Sequence, residues 1–544
     1  MDTKISQLVQ KLFGVEAAVT LTRPDPQFGD WATNVALRLA KPLGKNPREI
    51  AQQLAEKLQS TGDFSEVSVA GPGFINLRIS NAQLLQSLDG KASQSRSGQT
   101  VVIETNNPNP FKAMHIGHAF NAILADTVAN LLEADGADIH RVSYHGDVGA
   151  HVGKSMWALL QYVDGDTAKL DEIAPGDHNS FMSRMYAQGA KAHKENERSR
   201  EEIEILTQQS FVLDDPLYAR IYEICKAWSF EEIDHIVARL GNKPIEKRYL
   251  ESEADALGVE TVKKHIGTVF TESDGAIIFP GQQYGSFDNA FVTARGRGLY
   301  GARDLGLMQL KNNDYHAQKS YIVTAEEQRD YFKGVIKAAE LCLPELTDVT
   351  VNISTGTVKL TTGKMSSRTG EVVEIGWLFD QIANAITERG GEASDEIVAG
   401  ALRYQFLKVK IGSDVVFDIN EAVSLHGNSG SYLQYAYARA NSILQKSTQQ
   451  PAALEGAELS ISERALVSKI SGYTDVVEVA QRELLPHQIC TYLYELAQEF
   501  NRFYEKNQVI GSDQEAQRVA LVGLYAGTLK NGLATLGISA PERM

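Results

Sequence analysis

The chain of 544 residues reads as an α/β protein: a parallel sheet split by a helical insertion, with a small N-terminal α+β domain and a C-terminal all-α helical bundle. Three observations predict this. A strand–loop–helix–strand unit occupies residues 101–144, and strand–helix signals resume at 320–343 and 348–354, beyond a long charged stretch. From residue 376 onward, apolar residues recur at helical spacing almost without interruption. Strands alternating with helices on both sides of an insertion indicate a doubly wound, Rossmann-type sheet.

Residues 1–98 make the first unit. Helical periodicity covers 5–13, 31–41 and 50–59, with Pro47 near the start of the last, where a missing N–H is tolerated. Residues 67–79 read as two strands about a Gly-Pro-Gly turn, and the polar stretch 91–99 as a linker. The α/β domain spans 99–375. Val101, Val102 and Ile103 form its first buried strand, which Pro108 and Pro110 end because proline lacks a ladder donor. Phe120, Ile123, Leu124, Val128, Leu131 and Leu132 recur every three or four residues, so a helix follows, stopped by Gly136 in a left-handed turn. A second strand covers 139–144. Residues 155–265 read as a mostly helical insertion, with the charged run 191–204 as a solvated helix face. Strand-like runs at 267–270, 276–279 and 291–293 return the chain to the sheet. A helical connecting region (376–425) leads to the bundle (426–544), where Ile489, Leu493, Leu496, Phe500 and Phe503 keep a 4-3-4-3 spacing.

A chain this long needs more than one hydrophobic core. No apolar run reaches the roughly 18 residues of a membrane span. Cys225, Cys342 and Cys490 are scattered, with no Cys-x-x-Cys. With the polar N-terminus they indicate a reducing, cytoplasmic setting in which each is a small buried hydrophobe, and they argue against a structural zinc site. The net charge of −16 argues against broad nucleic-acid binding, but residues 401–544 carry 13 Lys/Arg against 15 Asp/Glu. Local RNA contact there is therefore compatible with the charge.

Two elements carry chemistry. His115, Gly117 and His118 stand at the mouth of the predicted helix, where free N–H groups and the helix dipole favour a phosphate. Between Gly363 and Gly370, Lys364, Arg368 and several hydroxyls can close over phosphates and stabilise developing charge. Alone, the first could be two capping histidines and the second a solvated turn.

Together they resemble the hallmark motifs of the class I aminoacyl-tRNA synthetases, His-Ile-Gly-His and Lys-Met-Ser-Lys-Ser. The resemblance is closer to the arginyl-tRNA synthetase family and covers essentially the whole chain. Pro108, Asn109 and Lys112 precede the first motif as in that family, and His145, Gly146, Asp147 and Gly149 follow it. Residues 364–370 match Lys-Met-Ser-Thr-Arg-x-Gly with Ser367 for threonine, and Tyr300, Arg303 and Asp304 match Tyr-x-x-Arg-Asp. Residues 427–436 and 536–544 resemble the family's tail segments.

The resemblance implies an arginine–tRNA ligase. Arginine and ATP, carrying Mg2+, give arginyl-adenylate and pyrophosphate; the arginyl group then passes to the 2′-hydroxyl of the terminal adenosine of tRNA(Arg), with activation awaiting the tRNA. It assigns His115, His118 and Gly117 to ATP, with Lys364, Met365, Ser366 and Arg368 on its phosphate side. Lys112 supplies the charge of the motif's second lysine, where Ser367 stands. An arginine substrate needs facing carboxylates, and the resemblance gives it Glu104, Asn109, Tyr300, Asp304 and Gln328. A helix starting at 300 would put Tyr300 and Asp304 on one face, although Asp304 in isolation reads as a salt bridge to Arg303 or Lys311. Gly301 and Ala302 replace bulkier family residues.

For RNA, Tyr432, Tyr435 and Arg439 at i, i+3 and i+7 suit stacking and phosphate contact. Such a stripe is by itself more often core; the resemblance assigns it, with Met544, to the anticodon loop, and Phe74 and Asn76 to the tRNA corner. It further implies a monomer, no membrane contact and no dedicated metal site. An editing domain is not expected, because a neutral competitor would leave the pocket's carboxylates unpaired. The alternatives are another class I synthetase or a small nucleotidyltransferase, which the terminal domains argue against. A non-catalytic paralogue binding RNA or protein is disfavoured by the intact His115, His118, Lys112 and Lys364. A lysine substrate would not need this many acceptors.

Overall fold

The computed structural model describes residues 1–25, 27–90, 92–361 and 373–544. It divides into two compact units: one of residues 93–438, 478–491 and 530–544, the other of residues 1–92, 439–477 and 492–529.

The first unit holds the parallel sheet. Its strands are β1 (Thr100–Glu104), β2 (Asp138–His145), β3 (Lys247–Leu250), β4 (Lys319–Ala325) and β5 (Thr350–Thr355), in the order β5-β4-β1-β2-β3. Val101, Val102 and Ile103 of the central β1 are completely buried, as a strand covered on both faces requires. The strand order reverses between β1 and β4, so a crevice opens beyond their carboxyl ends. Helix α1 (Ile116–Ala134) leaves β1 at that point and is buried along most of its length, which explains its all-round apolar sequence. Gly136 follows it with φ 93°. The stretch expected as a linker is bonded to the end of this helix: Ser95 donates from N and Oγ to Asp135 at 2.7 Å, and Arg96 pairs with the same carboxylate at 3.1 Å.

Two sequence expectations are corrected. β3 lies within the stretch read as helical insertion; its Lys247 and Arg248 disguise a short edge strand. The runs after the insertion do not rejoin the parallel sheet. Thr271–Ser273, Ala276–Phe279 and Asn289–Val292 form a separate antiparallel sheet, and 267–270 is mostly turn. Short apolar runs do not reveal which sheet they enter, because a hairpin and a crossover strand share one pattern. The rest of the insertion is helical: α2 (Ala150–Val163), α3 (His178–Glu195), α4 (Glu197–Val212) and α5 (Pro216–Arg239). Asn196 breaks the charged run by capping α4 through Ser199 N at 3.0 Å.

Helices α6 (Glu251–Lys264), α7 (Tyr300–Tyr315) and α8 (Arg329–Cys342) complete the surroundings of the crevice. α6 and α7 touch backbone to backbone: a Cβ at Gly258 would overlap the Ala302 carbonyl, and one at Gly306 the Ala254 carbonyl. This accounts for the small residues noted in α7, since a Cβ at Gly301 would also lie 2.9 Å from the Phe291 ring. Beyond residue 376 the unit is helical except for Val415–Phe417, paired in parallel with Val358–Leu360. Arg403, on α9 (Asp395–Leu407), is completely buried. It pairs with Asp126 of α1 at 2.9 Å and donates to the carbonyls of Leu240 and Leu536, both at 3.0 Å.

In the second unit, Trp31–Thr33, Phe74–Arg78 and Glu66–Ala70 form an antiparallel sheet with Phe74–Arg78 in the middle. Trp31–Thr33 is a strand where a helix was expected; the helix begins at Val35, after Asn34. Pro47 opens the helix Pro47–Ser60 under an Asn46 cap. This sheet is bonded to the bundle helix Ile461–Ser471, whose Arg464 pairs with Asp30 at 2.6 Å and donates to Ile79 O at 2.9 Å. Leu493, Leu496, Phe500 and Phe503 are all buried here, and Ile489 and the three cysteines are buried in the first unit. Among the described residues, no helix is long and apolar enough to cross a membrane.

Candidate active site

The site begins where β1 ends. Through Pro108 and Pro110 the chain reaches His115, the extended N-cap of α1 (φ −115°, ψ 169°). Its Nδ1 accepts from Gly117 N at 3.2 Å and His118 N at 3.4 Å, while His118 Nδ1 accepts from His115 N at 3.3 Å. The histidines are thus a reciprocal capping box, and their rings stack with centroids 3.6 Å apart. A Cβ at Gly117 would press on the His115 ring at 3.2 Å. Burial, reinforced by the Lys112 charge, lowers His115 to about 4. Burial, His115 and Lys112, in that order, lower His118 to about 3. Both rings are neutral at pH 7, and with Nδ1 accepting, each keeps its proton on Nε2 as its remaining donor.

Ile116 N donates to Val373 O at 2.9 Å and Ile375 N to Met114 O at 3.1 Å. The chain just past the second motif is therefore fastened beside His115. Lys364, Met365, Ser366 and Arg368 themselves lie outside the described residues.

A second cluster gathers carboxylates beside the end of β1. Glu104 is buried; Lys311 pairs with one of its oxygens at 2.5 Å and Asn107 donates to the other at 2.6 Å. Asp304 accepts from the Tyr331 hydroxyl at 2.5 Å. Burial raises its carboxyl to about 7; Tyr331 opposes this, Glu251 and Glu104 add to it, and Lys311 lowers it. Glu251 is raised by burial and pairs with Arg303 at 2.9 Å, which also binds Asp255 at 3.0 Å. Lys311 and Arg303 thus go to other carboxylates and not to Asp304. The Tyr144 hydroxyl is buried without a hydrogen-bond partner among the described residues, under the charges of Asp304, Glu251, Arg303 and Glu104. Asn109 Oδ1 accepts from Gly146 N at 2.9 Å. Its loop is held by His145, whose Nδ1 donates to Pro108 O at 2.6 Å. Burial lowers His145, and likewise His151, to about 4.

The structure thus brings Glu104, Asp304 and Glu251 into one buried, electrostatically coupled carboxylate cluster, with Asn109 reaching Glu251 across Gly146, and His115, His118 and Lys112 into one electrostatic group. Tyr300, 67% exposed, and Gln328, also exposed, stand at the surface. Asn107, Tyr144, Glu251 and Tyr331 escaped the sequence reading, and Lys311 was read as a partner of Asp304, whereas it pairs with Glu104. Lys311 had a signal, seven residues after Asp304 on one helix; Glu251 and Tyr331 come from distant segments and had none. Among the described residues, no group of three or more His, Cys, Asp or Glu is arranged to hold a metal ion.

The candidate RNA contacts lie elsewhere. Tyr432, Tyr435 and Arg439 are on α10 (Gly430–Lys446); Tyr435 and Arg439 are exposed and Tyr432 half-buried. The Arg439 guanidinium lies 4.6 Å from the Tyr504 ring centre. Met544 is half-buried, Phe74 exposed, and Asn76 buried in the middle strand.

Comparison with known proteins gives the family and the fold. Three family profiles match in order: the arginyl tRNA synthetase N terminal domain over residues 1–79, the catalytic domain of class I (R) tRNA synthetases over 79–418, and the DALR anticodon binding domain over 433–544. An arginine–tRNA ligase of Frankia casuarinae is 30% identical over 593 residues, covering 100% of this chain and 97% of its own. One from Bacteroides thetaiotaomicron is 28% identical, covering 97% and 96%. The Thermus thermophilus arginyl-tRNA synthetase shares the fold with a TM-score of 0.80 at 24% identity, covering 100% of this chain and 99% of its own. On the catalytic-domain match and the full-length likeness, the chain belongs to the class I arginyl-tRNA synthetase family.

Proposed function

We propose that the stacked histidines and the carboxylate pocket are the two halves of an arginine-activating site. As an arginine–tRNA ligase, the chain uses ATP to join arginine to tRNA. In the first half-reaction an arginine carboxylate oxygen attacks the α-phosphorus of ATP and pyrophosphate leaves. Glu104, Asp304 and Asn109 hold the guanidinium end, with Tyr300 and Gln328 at the rim. This aims the substrate's carboxylate at the phosphate and converts a two-body encounter into a positioned one. His115 and His118, neutral and donating from Nε2, stabilise charge growing on the phosphate oxygens without first losing a proton. Gly117 leaves room for adenine, Lys112, Lys364 and Arg368 neutralise the departing pyrophosphate, and Met365 and Ser366 of the second motif contact ATP beside them. Magnesium enters with ATP as part of the substrate. In the second half-reaction the 2′-hydroxyl of the terminal adenosine attacks the carbonyl of arginyl-adenylate, an ester forms, and AMP leaves as the anhydride bond breaks.

Tyr432, Tyr435, Arg439 and Met544 in the 426–544 domain face the anticodon loop, Phe74 in the 1–98 domain meets the tRNA corner, and the protein works as a cytoplasmic monomer. The observation carrying the site reading is that one connection, from β1 to α1, bears at its start Glu104 of a buried carboxylate cluster only partly neutralised by Lys311 and Arg303, and at its end a neutral histidine pair at a helix mouth. Its test is arginine-dependent exchange of pyrophosphate into ATP, with and without tRNA. Exchange only with tRNA supports activation coupled to RNA binding; exchange without tRNA discards that coupling. Glu104→Gln and Lys112→Ala should each abolish most of the exchange while RNA binding survives. Unchanged exchange in both would refute the site.

A further inference from the structure

Phe111, the residue before Lys112, has φ 62°. A bulky side chain occupies that left-handed region only where its surroundings impose it. Here the surroundings are the helical insertion. Ser229 Oγ of α5 accepts from Phe111 N at 3.0 Å, and Ser155 Oγ of α2 donates to Phe111 O at 2.9 Å. The Ser229 proton is spent on Cys225 O at 2.8 Å, which leaves its lone pairs for Phe111. The Phe111 ring is completely buried and stacks on Tyr222 of α5 at 5.3 Å. Tyr222 is itself held by its hydroxyl on Asp147 at 3.0 Å. Lys112 then emerges with its ammonium 6.0 Å from the ring centre of Tyr186 on α3. Three insertion helices therefore converge on two residues at the entrance to the phosphate site.

We propose that Ser155 and Ser229 are positioning residues for Lys112. By pinning both backbone groups of Phe111 they hold the chain in its left-handed turn, and that turn directs the lysine toward the histidine pair. The insertion is thereby part of the ATP-binding machinery. Without either serine, one buried backbone group of Phe111 loses its partner and the segment relaxes toward the commoner backbone regions. A shift of about 1 Å in a catalytic charge costs on the order of 100-fold in rate. This proposal rests on the reading of Lys112 as a phosphate ligand.

The test is a double-mutant cycle in pyrophosphate exchange, with the full chain and saturating tRNA. Ser155→Ala with Ser229→Ala should lower kcat about 10- to 100-fold and leave the KM for arginine within about twofold. In a Lys112→Ala background the same two substitutions should cost less than about twofold more, because the residue they position is gone. Losses that multiply in that background, or no loss in the native background, would overturn the clamp. Lys112→Ala alone checks the underlying reading: unchanged exchange there refutes the role of Lys112. Reduced exchange there with inert serines refutes only the clamp. If the paired substitution fails to fold, each single serine variant is expected to lose about 3- to 10-fold with the same dependence on Lys112.

Discussion

Asp304 should make arginine binding depend on pH across the neutral range. Burial and two neighbouring carboxylates raise it to about 7, whereas a guanidinium requires the ionised form. With that midpoint, the ionised fraction is about one-tenth at pH 6, one-half at pH 7 and nine-tenths at pH 8. The apparent dissociation constant is the intrinsic one divided by the competent fraction, so arginine should bind about tenfold more weakly at pH 6 than at pH 8. Binding at pH 7 should release about half a proton. Tyr331→Phe removes the hydrogen bond that opposes the rise, so its midpoint moves up and its affinity at pH 7 falls further. Asp304→Asn should bind weakly at every pH with a flat profile. Titration calorimetry of arginine at pH 6, 7 and 8, in buffers of different ionisation enthalpy, reads both affinity and proton release. A dissociation constant that stays level over this range, with no proton released, would refute the reasoning.

Three further outcomes follow from the packing. His115, His145 and His151 sit at about 4 and His118 at about 3, against 6.5 for each unfolded. Their stabilising contribution is present above pH 6.5 and lost as pH falls toward 4. Asp304 acts in the opposite sense, its contribution being lost as pH rises from 3.8 to about 7. Melting temperature should therefore drop from pH 6.5 to 4.5 in a calorimetric scan, and a level profile would contradict the buried neutral rings. Arg403→Met removes the nearer of the two cations paired with Asp126, leaving Arg141 at 3.5 Å and Lys243 N at 3.1 Å, and takes a donor from the Leu240 and Leu536 carbonyls; it should cost about 2–4 kcal/mol in urea unfolding. A loss under 1 kcal/mol would show that the buried pair contributes little. Gly258→Ala drives a methyl into the α7 backbone, costs about 1–3 kcal/mol, and should raise the KM for arginine more than that for ATP because α7 carries Asp304. Equal effects on both would detach this helix contact from the pocket.

The strongest local patterns survived folding intact. β1, α1 and the bundle stripe were legible because a β-branched run and 3.6-residue periodicity report burial directly. β3 was not legible: a four-residue edge strand carrying Lys247 and Arg248 has no pattern that separates it from a helix end. The antiparallel strands after the insertion were seen as strands but placed in the wrong sheet, since pairing partners are set by tertiary context. In the site, His115 and His118 were visible because a helix mouth is a local feature. The partners of Asp304 were not, because Tyr331 and Glu251 arrive from separate segments. Asp304 also shows why a reading based on nearest charges misleads, since Lys311 and Arg303 go to other carboxylates.

Arg403 joins Asp126, Leu240 and Leu536, and a second bond runs from Thr127 Oγ1 to Leu536 O across 409 residues of sequence. A ribosome makes α1 long before it makes the carbonyl that closes this knot. During synthesis the histidine-bearing helix therefore waits with a buried cation incompletely satisfied. The packing around that helix is complete only once Leu536 has been made and has folded back onto it, so the order of synthesis sets when this helix reaches its final surroundings.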